Sequence, residues 1–339
     1  MGEIYIKVLL IMLVLFLFMA PGFLLKKFNM IGEGATYTLS TILLYVCQPA
    51  LAIKAFCVFS KEDYKIVSSV DKLVLLKNFG ITILITTVSI LAVFAICKLV
   101  FLKSKNKNTA NVYSFIAMFS NCGFLGIPFI EMFTDNNPLA VMYMMVFNVA
   151  FNVLCWTLGV WLVSGDAKNI SVKKIVTNPT LITGFVGLIL FFVPQINIFM
   201  FDGLEELQIF PTYLANMTAA LSMIIVGIRL AETPAKELFT KSGVYVAGAL
   251  RLVVAPFLCL LISIPFWSIL GKGALGGYEE YVYLAPIIAM AMSPAAAVVA
   301  MAERFGGDKT SATSAFVTNT LISIITIPLV IVAVMAIVG

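Results

Sequence analysis

The chain has 339 residues, of which 61% are hydrophobic and 12% are charged, and its formal net charge is +5. Soluble domains average about 45–50% apolar and about 25% charged residues, so this composition predicts a multi-pass membrane protein without a soluble catalytic domain. The sequence contains no histidine, which removes the commonest catalytic base, proton relay and transition-metal ligand. We therefore expect the lipid bilayer as a partner, no nucleic acid, and neither a metal nor another cofactor.

Ten segments are apolar enough to cross a bilayer, for which a helix needs about 20 residues. They lie at 4–25, 35–59, 74–101, 111–132, 138–163, 178–194, 209–231, 242–270, 280–303 and 311–337. We interpret the first as a retained span, because Lys26 and Lys27 follow it without a small-residue cleavage site. The sixth is short, but Asn178-Pro179 is a suitable helix start and Pro194 a suitable end. The predicted fold class is an all-α membrane protein of ten transmembrane helices.

Basic residues are unevenly distributed among the connections. The odd-numbered connections contain Lys26, Lys27, Lys103, Lys105, Lys107, Lys168, Lys173, Lys174, Lys236, Lys241, Arg304 and Lys309. The even-numbered connections contain Lys61, Lys65, Lys72 and Lys272 alongside Glu62, Asp63, Asp71, Asp202, Glu205, Glu206, Glu279 and Glu280. Because cytoplasmic loops are enriched in lysine and arginine, we predict that the odd connections are cytoplasmic and both termini extracellular, in the plasma membrane.

Two of the predicted spans are interrupted at mid-depth. The fourth contains Ser120-Asn121-Cys122-Gly123, followed by Gly126 and Pro128, and the ninth contains Met292-Ser293-Pro294-Ala295-Ala296. Irregular backbone in a membrane survives only when it is buried in protein or lines a wet cavity, since each unsatisfied group costs several kcal/mol. A pair of interrupted spans in corresponding positions of two halves points to the substrate site of a secondary transporter. We predict that the fourth and ninth helices break and cross there.

The two halves of the chain show faint similarity after these interruptions. Ile130-Glu131-Met132-Phe133 aligns with Ala302-Glu303-Arg304-Phe305, and Val146-Phe147-Asn148 aligns with Val317-Thr318-Asn319 at nearly the same offset. Two halves of five spans each must have opposite orientations in the membrane. The predicted inverted repeats are residues 1–165 and 172–339.

The candidates for substrate binding lie at and beside the interruptions. Asn121 is the first, because its amide has two donors and two acceptors next to an opened helix. The half-helix beyond the break directs N–H groups and a partial positive charge into the gap, which suits a carboxylate. The other candidates are Ser120, Cys122, Gly123, Ser293, Pro294, Ala295, Gln48, Asn148 and Asn319. The alternative is that the breaks are kinks filled by serine side chains and that the asparagines serve helix packing.

Charged residues within the spans are few. Arg251 lies deep in the eighth span without an obvious acidic partner, and Lys54 lies in the second span after Gln48. Both are candidate charge partners of an anion, although Lys54 can also extend toward the membrane surface. Glu131 and Glu303 lie near helix ends, so a mid-membrane acid for proton coupling is missing. This favours uniport, exchange or potential-driven export, and leaves sodium open as a coupling ion.

The motif Asn121-x-x-Phe124-x-Gly126-x-Pro128, with Ser293-Pro294 before Ala302-Glu303-Arg304-Phe305, resembles the auxin efflux carrier family. Gln48-Pro49 and Asn178-Pro179 also match the style of this family, and the chain resembles its compact prokaryotic members. The resemblance implies inverted repeats related to those of bile acid:sodium symporters. It also implies a scaffold of helices one, two, six and seven, and a moving transport domain of helices three to five and eight to ten.

The resemblance further implies that the substrate binds at the crossing of helices four and nine, where Asn121 and Pro294 match the family's asparagine and proline. Ser120 stands where the plant proteins have a proline. A homodimer through the scaffold is also implied. We expect a permease for a small organic anion, with an elevator-like motion. The alternatives are a sodium-coupled importer of an organic anion, a membrane receptor that does not transport, and an intramembrane enzyme, against which the missing catalytic groups argue.

Overall fold

The computed structural model describes residues 2–57, 61–201, 203–239, 241–270 and 280–338. Almost all of these residues are helical, and none of them belongs to a β-strand. The helices are α1 (Gly2–Leu17), α2 (Met19–Lys27), α3 (Ala35–Ile42), α4 (Gln48–Cys57), α5 (Lys61–Ser68), α6 (Lys72–Val100), α7 (Lys107–Met118), α8 (Ile127–Phe133), α9 (Pro138–Leu154), α10 (Val160–Ser164), α11 (Val172–Val176), α12 (Pro179–Phe192), α13 (Ile209–Glu232), α14 (Ala235–Leu238), α15 (Ser242–Ala249), α16 (Ala255–Leu270), α17 (Glu280–Ala291), α18 (Ala297–Phe305) and α19 (Lys309–Val338).

Helical structure occurs in each of the ten predicted segments. Seven continuous stretches are long and apolar enough to cross a membrane: Gly2–Lys27, Ala35–Cys57, Lys72–Val100, Pro138–Ser164, Glu206–Glu232, Ser242–Phe266 and Lys309–Val338. Three shorter apolar helices follow the same order: Cys122–Phe133, Pro179–Phe192 and Glu280–Ala291. The helical membrane class is thus confirmed, whereas the ten-span inverted repeat and the extracellular termini stay predictions. Asp202, Lys272, Glu279 and the last two residues of the 35–59 segment lie outside the described residues.

Several of the helices contain a wider π-helical turn. These turns are Leu43–Cys47, Cys122–Gly126, Cys155–Gly159 and Leu250–Val254. Three of them end two residues before a proline, namely Pro49, Pro128 and Pro256. Proline has no N–H to donate, and its ring clashes with the carbonyl four residues earlier. The turn before each proline therefore widens, and such turns are frequent at functional sites.

Helices α2, α4, α12 and α13 pack closely against one another. A Cβ atom on Gly22 of α2 would lie 2.1 Å from the carbonyl oxygen of Ile224, and one on Gly227 of α13 would lie 2.0 Å from that of Met19. A Cβ atom on Gly187 of α12 would likewise lie 2.9 Å from a side-chain atom of α4. Glycine at these positions allows direct contact between backbones, which is a usual source of association between membrane helices.

Helices α6, α9, α16 and α17 form a second closely packed set. Its polar contacts include a buried hydrogen bond of 3.1 Å from the Asn78 amide of α6 to the Tyr143 hydroxyl of α9. The last helix, α19, packs against α7, α15 and α18, and it also contacts α1. The two interrupted segments of the sequence, α7–α8 and α17–α18, pack against helices of this second set and against α19.

A polar network joins the starts of α7 and α19 to the residue before α15. Thr109 donates a 2.6 Å hydrogen bond to Asp308, and the Lys241 ammonium donates one of 3.0 Å to Ser311. Burial raises the pKa of the Asp308 carboxyl, but hydrogen bonds from Thr109 and Ser311 and the charge of Lys241 lower it below its ordinary value. The carboxylate therefore stays ionised at neutral pH.

Candidate functional site

The chain leaves helical conformation at both positions that the sequence marks as interruptions. Residues 119–121 separate α7 from the π turn that leads into α8, and residues 292–296 separate α17 from α18. Phe119 is extended, with φ −108° and ψ 116°, and Asn121 has φ −81° and ψ 48°. Both segments are rich in residues that compete with helical hydrogen bonding or cannot take part in it.

The two interruptions lie against each other and satisfy each other's backbone groups. The N–H of Asn121 donates to the carbonyl of Ser293 at 2.7 Å, and the N–H of Ala295 donates to the carbonyl of Phe119 at 2.9 Å. Ser120 and Pro294 pair between these bonds as a short antiparallel bridge. The two broken helices therefore meet at their breaks as predicted, and a single antiparallel bridge flanked by two backbone hydrogen bonds joins them.

Several side-chain atoms at this crossing lack a hydrogen-bond partner among the described residues. They include the hydroxyl oxygens of Ser120 and Ser293 and the Nδ2 atom of Asn121. The three residues are 1%, 0% and 4% exposed. Nearly all buried polar groups in native proteins are paired, so each exception needs an explanation. Unpaired donors and hydroxyls on the adjoining backbone segments of the two breaks are what a polar ligand would satisfy.

Gly123 brings two further amides to the same place. A Cβ atom on this residue would lie 3.0 Å from Nδ2 of Asn148 and 3.0 Å from Nε2 of Gln48. Gln48 is 3% exposed, and its Nε2 atom has no partner within the described part of the chain. The predicted candidates Gln48, Asn148 and Gly123 are therefore neighbours, immediately beyond the break in the first of the two helices.

Asn148 is already engaged in local contacts. Its Oδ1 atom accepts a 2.8 Å hydrogen bond from the Asn152 amide and lies 3.8 Å from the Cys122 sulfur. Asn152 thus orients Asn148 from one helical turn away. Cys122 is buried at the start of the π turn.

Asn319 lies elsewhere, although its position in the repeat matches that of Asn148. Its amide donates to the carbonyl of Val244 on α15 at 3.1 Å. A Cβ atom on Gly248 would lie 2.0 Å from the Asn319 Oδ1 atom, which shows how closely α19 packs on α15. These contacts join Asn319 to α15 and not to the group around Gln48.

Arg251 is completely buried in the π turn that precedes α16. Its guanidinium donates to the carbonyls of Ala117 at 3.1 Å and Met118 at 2.9 Å, and also to the carbonyl of Met290. These carbonyls belong to the last turns of α7 and α17, where helices have no internal partner for them. A single side chain therefore satisfies the ends of both half-helices that lead into the crossing.

Lys54 forms an ion pair between separate helices. Its ammonium lies 2.8 Å from the Glu131 carboxylate on α8 and donates to the Asn216 side chain on α13 at 3.1 Å. The side chains of Lys54 and Glu131 are 24% and 14% exposed. The sequence analysis predicted that Lys54 either pairs with an anion or extends toward the membrane surface. It did not suggest Glu131 as a partner.

Helix α13, which packs in the group with α2, α4 and α12, also borders the crossing. Ser222 donates a 3.5 Å hydrogen bond to the carbonyl of Phe124, which lies in the π turn after the break. Phe124 also packs against a small apolar cluster of Leu43, Cys47 and Ile225. Sequence reasoning missed Ser222, and the closest signal was the expectation that the seventh helix belongs to the scaffold.

No group of three His, Cys, Asp or Glu residues arranged to hold a metal occurs within the described ranges. All six cysteines are buried with free thiols.

A protein-family model described as "Membrane transport protein" matches residues 7–331. No curated protein matches the chain. The matched range contains both interruptions, the crossing and Arg251, so the resemblance seen around Asn121 and Ser293-Pro294 is confirmed at the level of the family. The chain therefore belongs to the membrane transport protein family, which is that of the auxin efflux carriers.

Proposed function

We propose that the protein is a secondary transporter that moves a small organic anion, such as a carboxylate, across the plasma membrane by alternating access. Its substrate binds at the crossing of the two broken helices. The observation that carries this proposal is the group of unpaired polar atoms there, on Ser120, Asn121, Ser293 and Gln48. Amide nitrogens only donate hydrogen bonds and hydroxyls can donate, whereas a carboxylate only accepts them.

Helix polarity supports an anionic substrate. The helix Cys122–Phe133 and helix α18 both begin at the crossing. The first N–H groups of a helix have no internal acceptor, and its N-terminus has a partial positive charge. Two such ends beside unpaired amides and hydroxyls form a site suited to a carboxylate.

The proposed architecture has ten spans in two inverted repeats, 1–165 and 172–339, with both termini outside the cell. The scaffold comprises the first, second, sixth and seventh spans, and the remaining spans form a transport domain that moves like an elevator. The close packing of α2, α4, α12 and α13 supports the scaffold assignment. The Lys54–Glu131 ion pair and the Ser222–Phe124 hydrogen bond then cross the boundary between the two domains.

Sodium-coupled import of an organic anion is the second candidate. The unpaired hydroxyl oxygens of Ser120 and Ser293 favour it, because hydroxyl and carbonyl oxygens at unwound helices are typical ligands of sodium in transporters. In this case the same crossing holds the ion and the substrate together.

The test is flux into proteoliposomes that contain the purified protein. Radiolabelled malate, malonate, indole-3-acetate and an amino acid are each assayed under an imposed membrane potential, with and without a sodium gradient. Potential-driven flux of a carboxylate that is unaffected by sodium supports the first proposal, and flux that requires sodium supports the second. Protein-free liposomes and liposomes without a potential are the controls.

Two outcomes would contradict transport of an organic anion. Flux of the amino acid alone would mean that the substrate class is wrong. Saturable binding of a carboxylate without flux, at a protein density that is confirmed in the same vesicles, would identify a receptor that does not transport.

A further inference from the structure

The crossing brings four helix ends together, and they differ in sign. Helices α7 and α17 end there, whereas the helices Cys122–Phe133 and α18 begin there. A helix end has a partial charge of about half an elementary charge, negative at the C-terminus and positive at the N-terminus. Without another charge, the two negative ends would cancel the two positive ends, and the crossing would have no preference for an anion.

Arg251 acts only on the two negative helix ends. Its hydrogen bonds go to Ala117 and Met118 at the end of α7 and to Met290 at the end of α17. One guanidinium charge therefore offsets about one unit of negative charge from the two C-terminal ends. The two N-terminal ends remain, together with the unpaired amide of Asn121.

The surroundings of Arg251 do not neutralise it in another way. None of the ion pairs found among the described residues includes Arg251. Among the described residues, the titratable side chains that act on its charge are the thiols of Cys122, Cys259 and Cys97. Its Nε atom has no hydrogen-bond partner within the described ranges. A charge that is buried without an acid is costly, and a neutral donor could satisfy the same carbonyls.

We propose that Arg251 determines the charge selectivity of the crossing. By offsetting the partial negative charge at the C-terminal ends of α7 and α17, it leaves the crossing with a net positive potential. This potential selects organic anions over neutral molecules of the same shape. Arg251 acts through the helix ends and positions them without contacting the substrate. This inference rests on the proposed transport function and extends it from the place of binding to the basis of selection.

The test compares carboxylates with their neutral amides: malonate with malonamide, and indole-3-acetate with indole-3-acetamide. Arg251→Gln keeps donors for the carbonyls but removes the charge, and Arg251→Lys keeps the charge but changes the donors. Arg304→Gln, at an exposed arginine near the end of α18, is the matched control. Initial flux of both members of each pair is measured in the same proteoliposomes.

We expect Arg251→Gln to lower the ratio of carboxylate to amide flux about tenfold or more, as expected for loss of a charged interaction. Arg251→Lys retains most of the ratio, and Arg304→Gln does not change it. A purely structural role would instead lower the fluxes of carboxylate and amide together and leave the ratio unchanged. An unchanged ratio in Arg251→Gln overturns the proposal.

A second pair of variants leaves Arg251 in place and applies if Arg251→Gln does not fold. Cys97→Asp introduces a negative charge at a position whose side chain interacts electrostatically with the guanidinium, so as to offset its charge, and Cys97→Asn is the neutral control of the same size. The proposal predicts a lower ratio for Cys97→Asp only, and equal ratios in both variants overturn it. Wild-type protein that moves neither member of a pair contradicts the transport function itself, whereas equal wild-type flux of carboxylate and amide contradicts only the charge selectivity.

Discussion

The residues at the crossing are packed too closely to accept a larger side chain, and Gly123 is the clearest case. Its Cα faces the amides of Asn148 and Gln48, and an added Cβ would lie 3.0 Å from each. That distance is too short for an unstrained contact, so both amides must move if a methyl group is added. Glycine at this position therefore keeps two predicted substrate-binding side chains close to the break.

We predict that Gly123→Ala reduces carboxylate flux about tenfold or more, because a displaced amide loses a hydrogen bond worth about 1.5 kcal/mol or more to a charged ligand. The protein should still fold, since the amides are side chains and can move. Gly80→Ala on α6 is the control, because no atom lies within 4 Å of its added Cβ. Equal flux in both variants, measured at equal protein density, would show that the two amides do not act on the substrate.

Among the helical elements, the contact between α2 and α13 is the closest. Both helices contribute a glycine whose added Cβ would lie only 2.0 or 2.1 Å from a backbone carbonyl oxygen of the other helix. Backbone atoms cannot move aside as side chains do, so the helices themselves must separate. This contact accounts for the tight packing of the helix group that we assign to the scaffold.

We predict that Gly227→Ala lowers the unfolding free energy by about 1–3 kcal/mol or more, which is the usual cost of overpacking. The melting temperature of the purified protein in detergent measures this loss, and Gly80→Ala again serves as the control. A melting temperature equal to that of the wild type would mean that α2 and α13 are not in direct contact.

The elements also show what the sequence could and could not predict. Both interruptions were predicted correctly, because Ser, Asn, Gly and Pro within an apolar run have a direct physical meaning for the backbone. The three π turns before Pro49, Pro128 and Pro256 were not predicted, although the prolines are their cause. The partners of Arg251 could not be predicted, because backbone carbonyls leave no trace in the residue pattern. The role of Asn319 in substrate binding stays a prediction, and its contact with α15 could not be read from its match to Asn148, since similar positions in a repeat need not have similar contacts.

At the scale of the whole molecule, few polar contacts connect the two groups of helices around the crossing. The Lys54–Glu131 pair joins α4 to α8, and the Asn216 side chain on α13 supports it. If α8 moves with the transport domain, this pair must open during each cycle. The state described here is therefore stabilised by the pair relative to any state in which α8 has moved.

We predict that Glu131→Gln shifts the equilibrium away from the described state about fivefold, as expected for loss of about 1 kcal/mol. Faster hydrogen–deuterium exchange in 127–133 and 209–220 should report the shift. Asp135→Asn is the control, because it removes the Lys7–Asp135 pair, whose side chains are 40% and 84% exposed and contribute little. Exchange that is equally fast in wild type and Glu131→Gln would show that the pair does not hold the two groups together.

The most direct test of the crossing as the substrate site is carboxylate flux through Asn121→Ala, compared with Asn108→Ala in the same proteoliposomes. Asn108 is exposed in the first turn of α7, whereas Asn121 is buried at the break that follows this helix. We predict that Asn121→Ala folds and abolishes flux, because it removes the unpaired amide, whereas Asn108→Ala transports like the wild type. Normal flux through a folded Asn121→Ala would contradict the assignment of the site to the crossing.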